Sequence, residues 1–175
     1  GEENIRADVA YIVKNLNGVD SHLLSELRSL GYSYETIQET QINAVDLNEY
    51  RLVIVGDQDF VNPLEIPIEK HKTLIINSHN YYRQSSTNYQ FGWSGAKSLT
   101  TNPRAKIVNI ASPIAEGVPE RFMAYTDSSN SYILKGQKPS GIDIIISSST
   151  FSSDAFVSSL DKVDRLLNGR TLEER

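Results

Sequence analysis

Lys72-Thr73-Leu74-Ile75-Ile76-Asn77-Ser78-His79-Asn80-Tyr81-Tyr82 is the run of residues from which the architecture is read. A short apolar segment halts in polar residues and then in two tyrosines. Apolar, β-branched residues without alternation suit a strand covered on both faces, as in a parallel sheet flanked by helices. Ligands of such sheets gather in the crevice beyond the carboxyl ends of the strands, so the exit from Asn77 onward is where donors and acceptors are sought first.

Upstream, Asp8-Val9-Ala10-Tyr11-Ile12-Val13 reads as the first strand. Asn15, Asn17 and Gly18 then turn the chain toward a helix capped by Asp20-Ser21. Leu23, Leu24, Leu27 and Leu30 recur at helical spacing, and Gly31 stops that helix where a left-handed residue is expected. Tyr32 to Ile37 alternates as a half-buried or edge strand. A polar connection with Ile42 and Val45, and one helical turn near Asp46 to Tyr50, leads to Arg51-Leu52-Val53-Ile54-Val55-Gly56, a second central strand. Its exit, Asp57-Gln58-Asp59-Phe60, passes through the proline-marked segment 62–67 and a short helix ending near His71. Strand, crossover and strand in succession predict right-handed crossovers and a parallel sheet.

Downstream, residues 81–101 lose periodicity and read as a long loop, of the kind that often carries function. Ala105 to Ile110 is another strand, and Ser112 to Pro119 a turn punctuated by Pro and Gly. Phe122 to Thr126 and Ser131 to Leu134 read as short strands joined in a hairpin across Asp127 to Asn130. Gly141 to Ile146 is a late buried strand with Ser147-Ser148-Ser149-Thr150 as its polar exit loop. A closing helix over Ser153 to Asn168 places Phe156, Leu160, Val163 and Leu167 on one face.

A chain of 175 residues is most naturally one domain, here a single α/β domain over 1–175 with its folded core at about 8–170. It begins almost at its first strand without an initiating Met, as a domain excised from a longer protein would. With 0 Cys there is no thiol nucleophile, thiolate metal site or disulfide. The net charge of -5 and the lack of a dense Lys/Arg stripe argue against a nucleic-acid partner. No apolar stretch approaches the roughly 20 residues of a membrane span, so no membrane insertion is expected. Neither Asn17-Gly18 nor Gly56 opens a glycine-rich phosphate loop, and Lys14-Asn15-Leu16-Asn17 is no flavin phosphate loop, so no cofactor is expected.

The order of elements resembles the class I glutamine amidotransferase-like fold, a flavodoxin-like variant. The resemblance is carried by Val9-Ala10-Tyr11-Ile12-Val13, Leu30-Gly31-Tyr32, the phrase Leu47-Asn48-Glu49-Tyr50-Arg51-Leu52-Val53-Ile54-Val55, the strand into Asn77-Ser78, and Ser112-Pro113-Ile114-Ala115-Glu116-Gly117-Val118-Pro119. It implies a three-layer α/β sandwich around a mostly parallel central sheet. Enzymes of that family carry a G-x-C-x-G nucleophile elbow at the end of the strand corresponding to Leu74 to Asn77. Here that position falls on or beside Ser78, with Ile76 and Asn80 in place of the glycines. The family's histidine and acidic partner follow a strand like Ile142 to Ile146, where this chain has serines, and His22, His71 and His79 all lie earlier. The resemblance therefore implies a degenerate relative that keeps the scaffold without the amidotransferase chemistry. Noncatalytic members of this fold serve in cell-surface, carbohydrate-processing and assembly proteins, which implies an extracellular or cell-surface setting.

Ser78 and His79 offer a nucleophile and a base, but adjacent residues of an extended segment point to opposite sides. The competing reading has Asn77, Ser78 and Asn80 bonding loop backbone. Asp57 and Asp59 could hold a hard cation through oxygen, or simply form a turn and cap a helix. Tyr81, Tyr82, Tyr89, Phe91 and Trp93, interleaved with amides and Arg83, make either a recognition surface for a protein or glycan or a small satellite core. The expectation is a noncatalytic module that binds a protein or glycan through Asp57 and the segment Asn77, Ser78, His79, Asn80, Tyr81, Tyr82 and Trp93. The alternative is a hydrolase of an ester, amide or glycan using Ser78.

Overall fold

The computed structural model describes residues 4–66, 74–76, 95–99, 104–123 and 131–160. The chain clusters into two compact units, one built on residues up to Tyr81 and the other on Tyr82–Leu172.

The first unit is a parallel sheet of β1 (Ala7–Val13), β2 (Tyr34–Gln38), β3 (Tyr50–Val55) and β4 (Leu74–Ile76), in the order β2-β1-β3-β4. Val9 lies beside Tyr34 on one side and Leu52 on the other, so one face collects Val9, Tyr11, Val13, Leu52 and Ile54. Helix α1 (Ser21–Ser29) lays Leu23, Leu24 and Leu27 on that face. The alternate residues Ala10, Ile12, Val53 and Val55 are buried as well. Burial on both faces is why these strands read as continuous apolar runs.

Local chemistry sets the ends of α1 as the sequence suggests. Asp20 Oδ1 accepts from the N–H groups of His22 at 2.9 Å and Leu23 at 3.3 Å. At the other end Gly31 takes φ 81°, while Tyr32 N–H bonds Leu27 O at 2.9 Å and Gly31 N–H bonds Arg28 O at 3.0 Å, a Schellman closure. A 3-10 turn at Leu47–Glu49 stands where one helical turn is expected before β3.

Two readings of this unit need correction. β4 pairs only with β3 and ends the sheet among the described strands, and Ile75 is 49% exposed, so the quoted run is not a strand covered on both faces. A run of three apolar residues signals a strand without saying whether both of its faces are covered or whether a strand lies at each edge. The second correction concerns the sheet's extent: parallel pairing holds for β1 to β4, and the strands of the second unit are antiparallel.

The second unit carries β5 (Gly95–Leu99), β6 (Arg104–Ile107), β7 (Arg121–Met123), β8 (Ser131–Lys135), β9 (Asp143–Ser148) and β10 (Ala155–Ser159). They form one sheet in the order β5-β8-β10-β9-β6-β7, with every pairing antiparallel. Residues 95–99, expected in a loop, pair with β8 from Gly95 opposite Lys135 to Leu99 opposite Ser131. Residues 155–159, expected in a helix, are a strand; residues 161–168 of that element lie outside the described residues. The register shifts around Val157 in its pairing with β9, and such a bulge lets adjacent Phe156 and Val157 both pack on the cluster of Ala105, Ala115, Ile145 and Ile146, which breaks the alternation that marks a strand.

Ser147 and Ser148, expected in an exit loop, are the buried last residues of β9. Ser147 Oγ donates to Ser148 O at 2.9 Å, so the hydroxyl is satisfied within the backbone and tolerates burial. β7 and β8 do not make a hairpin: β7 pairs with β6, and β8 with β5 and β10. The turn at Ser112 to Pro119 is as expected, a 3-10 turn at Pro113–Ala115 with Gly117 at φ 76°.

Candidate functional site

In a parallel sheet of order β2-β1-β3-β4, the chain leaves β1 toward β2 on one side and β3 toward β4 on the other, which opens a crevice between the carboxyl ends of β1 and β3. The groups around it come from three exits. After β1, Asn15 Oδ1 accepts from Asn17 N–H at 3.1 Å and sets the turn Leu16–Gly18. Beneath it Tyr11 is buried, its hydroxyl accepting from Asp20 N–H at 3.2 Å, and burial pushes its phenol pKa up.

After β3 the chain stays close to β1. Gly56 N–H bonds Ile12 O at 2.9 Å, and a Cβ on Gly56 would lie 3.0 Å from both Ile12 O and Tyr11 Cε2. Glycine is what lets the backbone pass there. Gln58 then turns back: its Oε1 accepts from Lys14 N–H at 2.6 Å and Asn15 N–H at 3.2 Å. Its amide rests on Gly18, where a Cβ would fall 1.7 Å from Gln58 Nε2. Further on, the N–H groups of Val61, at 3.0 Å, and of Asn62 donate to the carboxylate of Glu39, a buried residue at the exit of β2.

Segment 56–62 is therefore a strap that leaves β3, is tied to the exit of β1 and ends tied to the exit of β2. It crosses the crevice where a parallel sheet ordinarily offers a binding site. Asp57 and Asp59 sit on this strap and are exposed. Among the described residues no group of three or more His, Cys, Asp or Glu could hold a metal ion. Asn77, Ser78, His79, Asn80, Tyr81, Tyr82 and Trp93 lie outside the described residues.

Sequence reasoning passed over Gln58 and Glu39, because a lone amide or carboxylate in a polar connection has no spacing signature. The available signals were Gly18 and Gly56, small residues that make room for a close approach.

A second polar cluster lies at the opposite end of the same strands. Arg6 Nε donates to both oxygens of Glu35 at 2.7 and 3.0 Å, and Tyr50 OH donates to Glu35 Oε2 at 2.7 Å. Hydrogen bonds from Arg6 and then Tyr50 hold the Glu35 carboxyl below its ordinary range. Burial, then the bond to Glu35, pushes Tyr50 up to about 12. Asp8 accepts from Ser33 N–H at 2.9 Å and Ser33 Oγ at 3.1 Å, which lowers its pKa in turn. These contacts tie the starts of the strands and are remote from the crevice.

No family model matches the chain, and no curated protein matches it in sequence. Among the described residues no helix is long and apolar enough to cross a membrane. Among solved structures the chain is similar to the crystal structure of a glutamine amidotransferase from Thermotoga maritima, at 11% identity and a TM-score of 0.47, over 86% of this chain and 70% of that one.

Proposed function

We propose that this chain is a noncatalytic binding or assembly module of a larger cell-surface protein, recognising a protein or glycan through the loops at the carboxyl ends of its parallel strands. The observation that supports this reading is the strap. Gln58 Oε1 accepts from the backbone N–H groups of Lys14 and Asn15 at the exit of β1, and Glu39 at the exit of β2 accepts from those of Val61 and Asn62, so the chain itself crosses the place where a small substrate would sit. A surface built this way presents the exposed Asp57 and Asp59 to a macromolecule. The finer architecture belongs to the same reading: a flavodoxin-like, three-layer arrangement of the first unit, with a second layer on the face opposite α1. It draws on the order β2-β1-β3-β4 and on burial of both faces of β1 and β3.

The test is binding by Tyr82→Ala and Trp93→Ala variants against a glycan array and against partners co-purified with the native chain. Loss of a bound glycan or protein supports the reading, and binding unchanged by both substitutions overturns it. Turnover of an ester, amide or glycan that disappears in Ser78→Ala would establish the hydrolase in its place.

A further inference from the structure

Two ties of the strap, at Glu39 and at Gln58, are unequal in kind. Glu39 offers a buried, charged acceptor to the consecutive N–H groups of Val61 and Asn62 and uses both oxygens. Charge-assisted bonds of this sort are the stronger class. Gln58 offers one neutral oxygen shared by Lys14 and Asn15. Its amide cannot be reversed, because two donors face the oxygen position and only an acceptor satisfies them. The nitrogen is thereby turned inward, and Gln58 Nε2 is buried with no hydrogen-bond partner among the described residues. A buried donor left unmet disfavours the state that buries it.

We propose that the strap is a lid with a hinge and a latch: Gln58 lifts from Lys14 and Asn15 while Glu39 keeps Val61 and Asn62 in place. Opening frees Nε2 to meet water. It also uncovers two consecutive N–H groups at the β1/β3 crevice, a concavity that suits an acceptor oxygen. The device goes beyond the binding-module reading, since it concerns motion within one unit and operates whatever the outer loops recognise. Gly18 is its lever, because any side chain there occupies the space of the Gln58 amide.

Amide hydrogen exchange on the full chain, read residue by residue by NMR, tests it. In the native chain the Lys14 and Asn15 amides exchange about tenfold faster than those of Val61 and Asn62, through an opening that leaves the rest of the sheet closed. Gly18→Ala, which evicts Gln58, raises exchange at Lys14 and Asn15 by a further factor of about ten and leaves Val61 and Asn62 within about twofold. Gln58→Ala, which adds no atom, gives the same result if the alanine at 18 disturbs its turn. The Gly56 amide, bonded to Ile12 O, stays protected and reports that β1 and β3 remain paired. Equal exchange at all four strap contacts in the native chain, a joint rise in the variants, or no change at Lys14 and Asn15 would each overturn the latch.

Discussion

The two units of this chain solve the burial of a sheet in different ways. In the first, β1 and β3 are parallel, in unbroken register, and buried on both faces by apolar and β-branched residues. In the second, β9 and β10 are antiparallel, their register shifts twice, and Ser147 is 0% exposed while Phe156 and Val157 are half-buried. Uniform burial produces a uniform run of residues. A bulged sheet that buries serine beside apolar residues mixes the two, and no single period describes it.

The largest effect that separates the units is expected in the core. Ile12→Ala, at the centre of the parallel sheet, should lower unfolding free energy by about 2–5 kcal/mol in a urea titration. Ile107→Ala, at a half-buried position of β6, should cost less than roughly half of that, because less apolar area returns to water. Equal losses would break the contrast.

Next in size is the clamp at Glu39. Glu39→Ala strips the acceptor from two backbone donors and should destabilise the first unit by about 1.5–3 kcal/mol. Its removal should leave the near-ultraviolet signature of the second unit as it was. Asp20→Ala sharpens the picture of α1 by removing its cap, with an expected loss of about 1 kcal/mol by the same titration.

The titrating groups at the starts of the strands give a smaller, pH-dependent effect confined to the first unit. Asp8 and Glu35 have folded pKa values below their unfolded ones, so their contribution is complete above the ordinary carboxylate range and is lost as the pH falls through the depressed values. Tyr50 is raised, so its contribution is complete below the ordinary phenol range and is lost as the pH rises through about 12. Glu35→Gln should flatten the acid limb of stability against pH, and Tyr50→Phe should remove a tyrosine step near pH 12 from an absorbance titration. An acid limb unaltered by Glu35→Gln would assign it elsewhere. Smallest of all is Ser147→Ala in β9, expected to change stability by less than about 1 kcal/mol because the hydroxyl serves only a neighbouring carbonyl.

Legibility followed the same divide. Val9 to Val13, Asp20, Gly31 and Val53 to Val55 could be placed from sequence because each obeys a local rule: an apolar run, a cap, a left-handed stop. The segment 155–159 could not. Phe156 and Leu160 sit at a helical spacing, and the pairing of Ala155 with Ser147 and Leu134 that makes 155–159 a strand joins residues distant in the chain. Gly95 to Leu99 has neither a β-branched run nor an alternation, and only β8 beside it makes it extended. At the crevice, Asp57 and Asp59 drew notice for their charge, whereas the side chains that tie the exits together are Gln58 and Glu39.

By itself the sequence determined that β1, α1, β2 and β3 form and where α1 begins and ends, because those decisions are made by neighbours within a few residues. It did not determine the partner of any strand in the second unit, the place of β4 at the end of the described strands of its sheet, or the path of the strap across β1 to β2. Those rest on hydrogen bonds between residues as far apart as Lys14 and Gln58, which local propensity cannot encode. Only the folded chain brings such groups within reach, and it is their contact that closes the crevice.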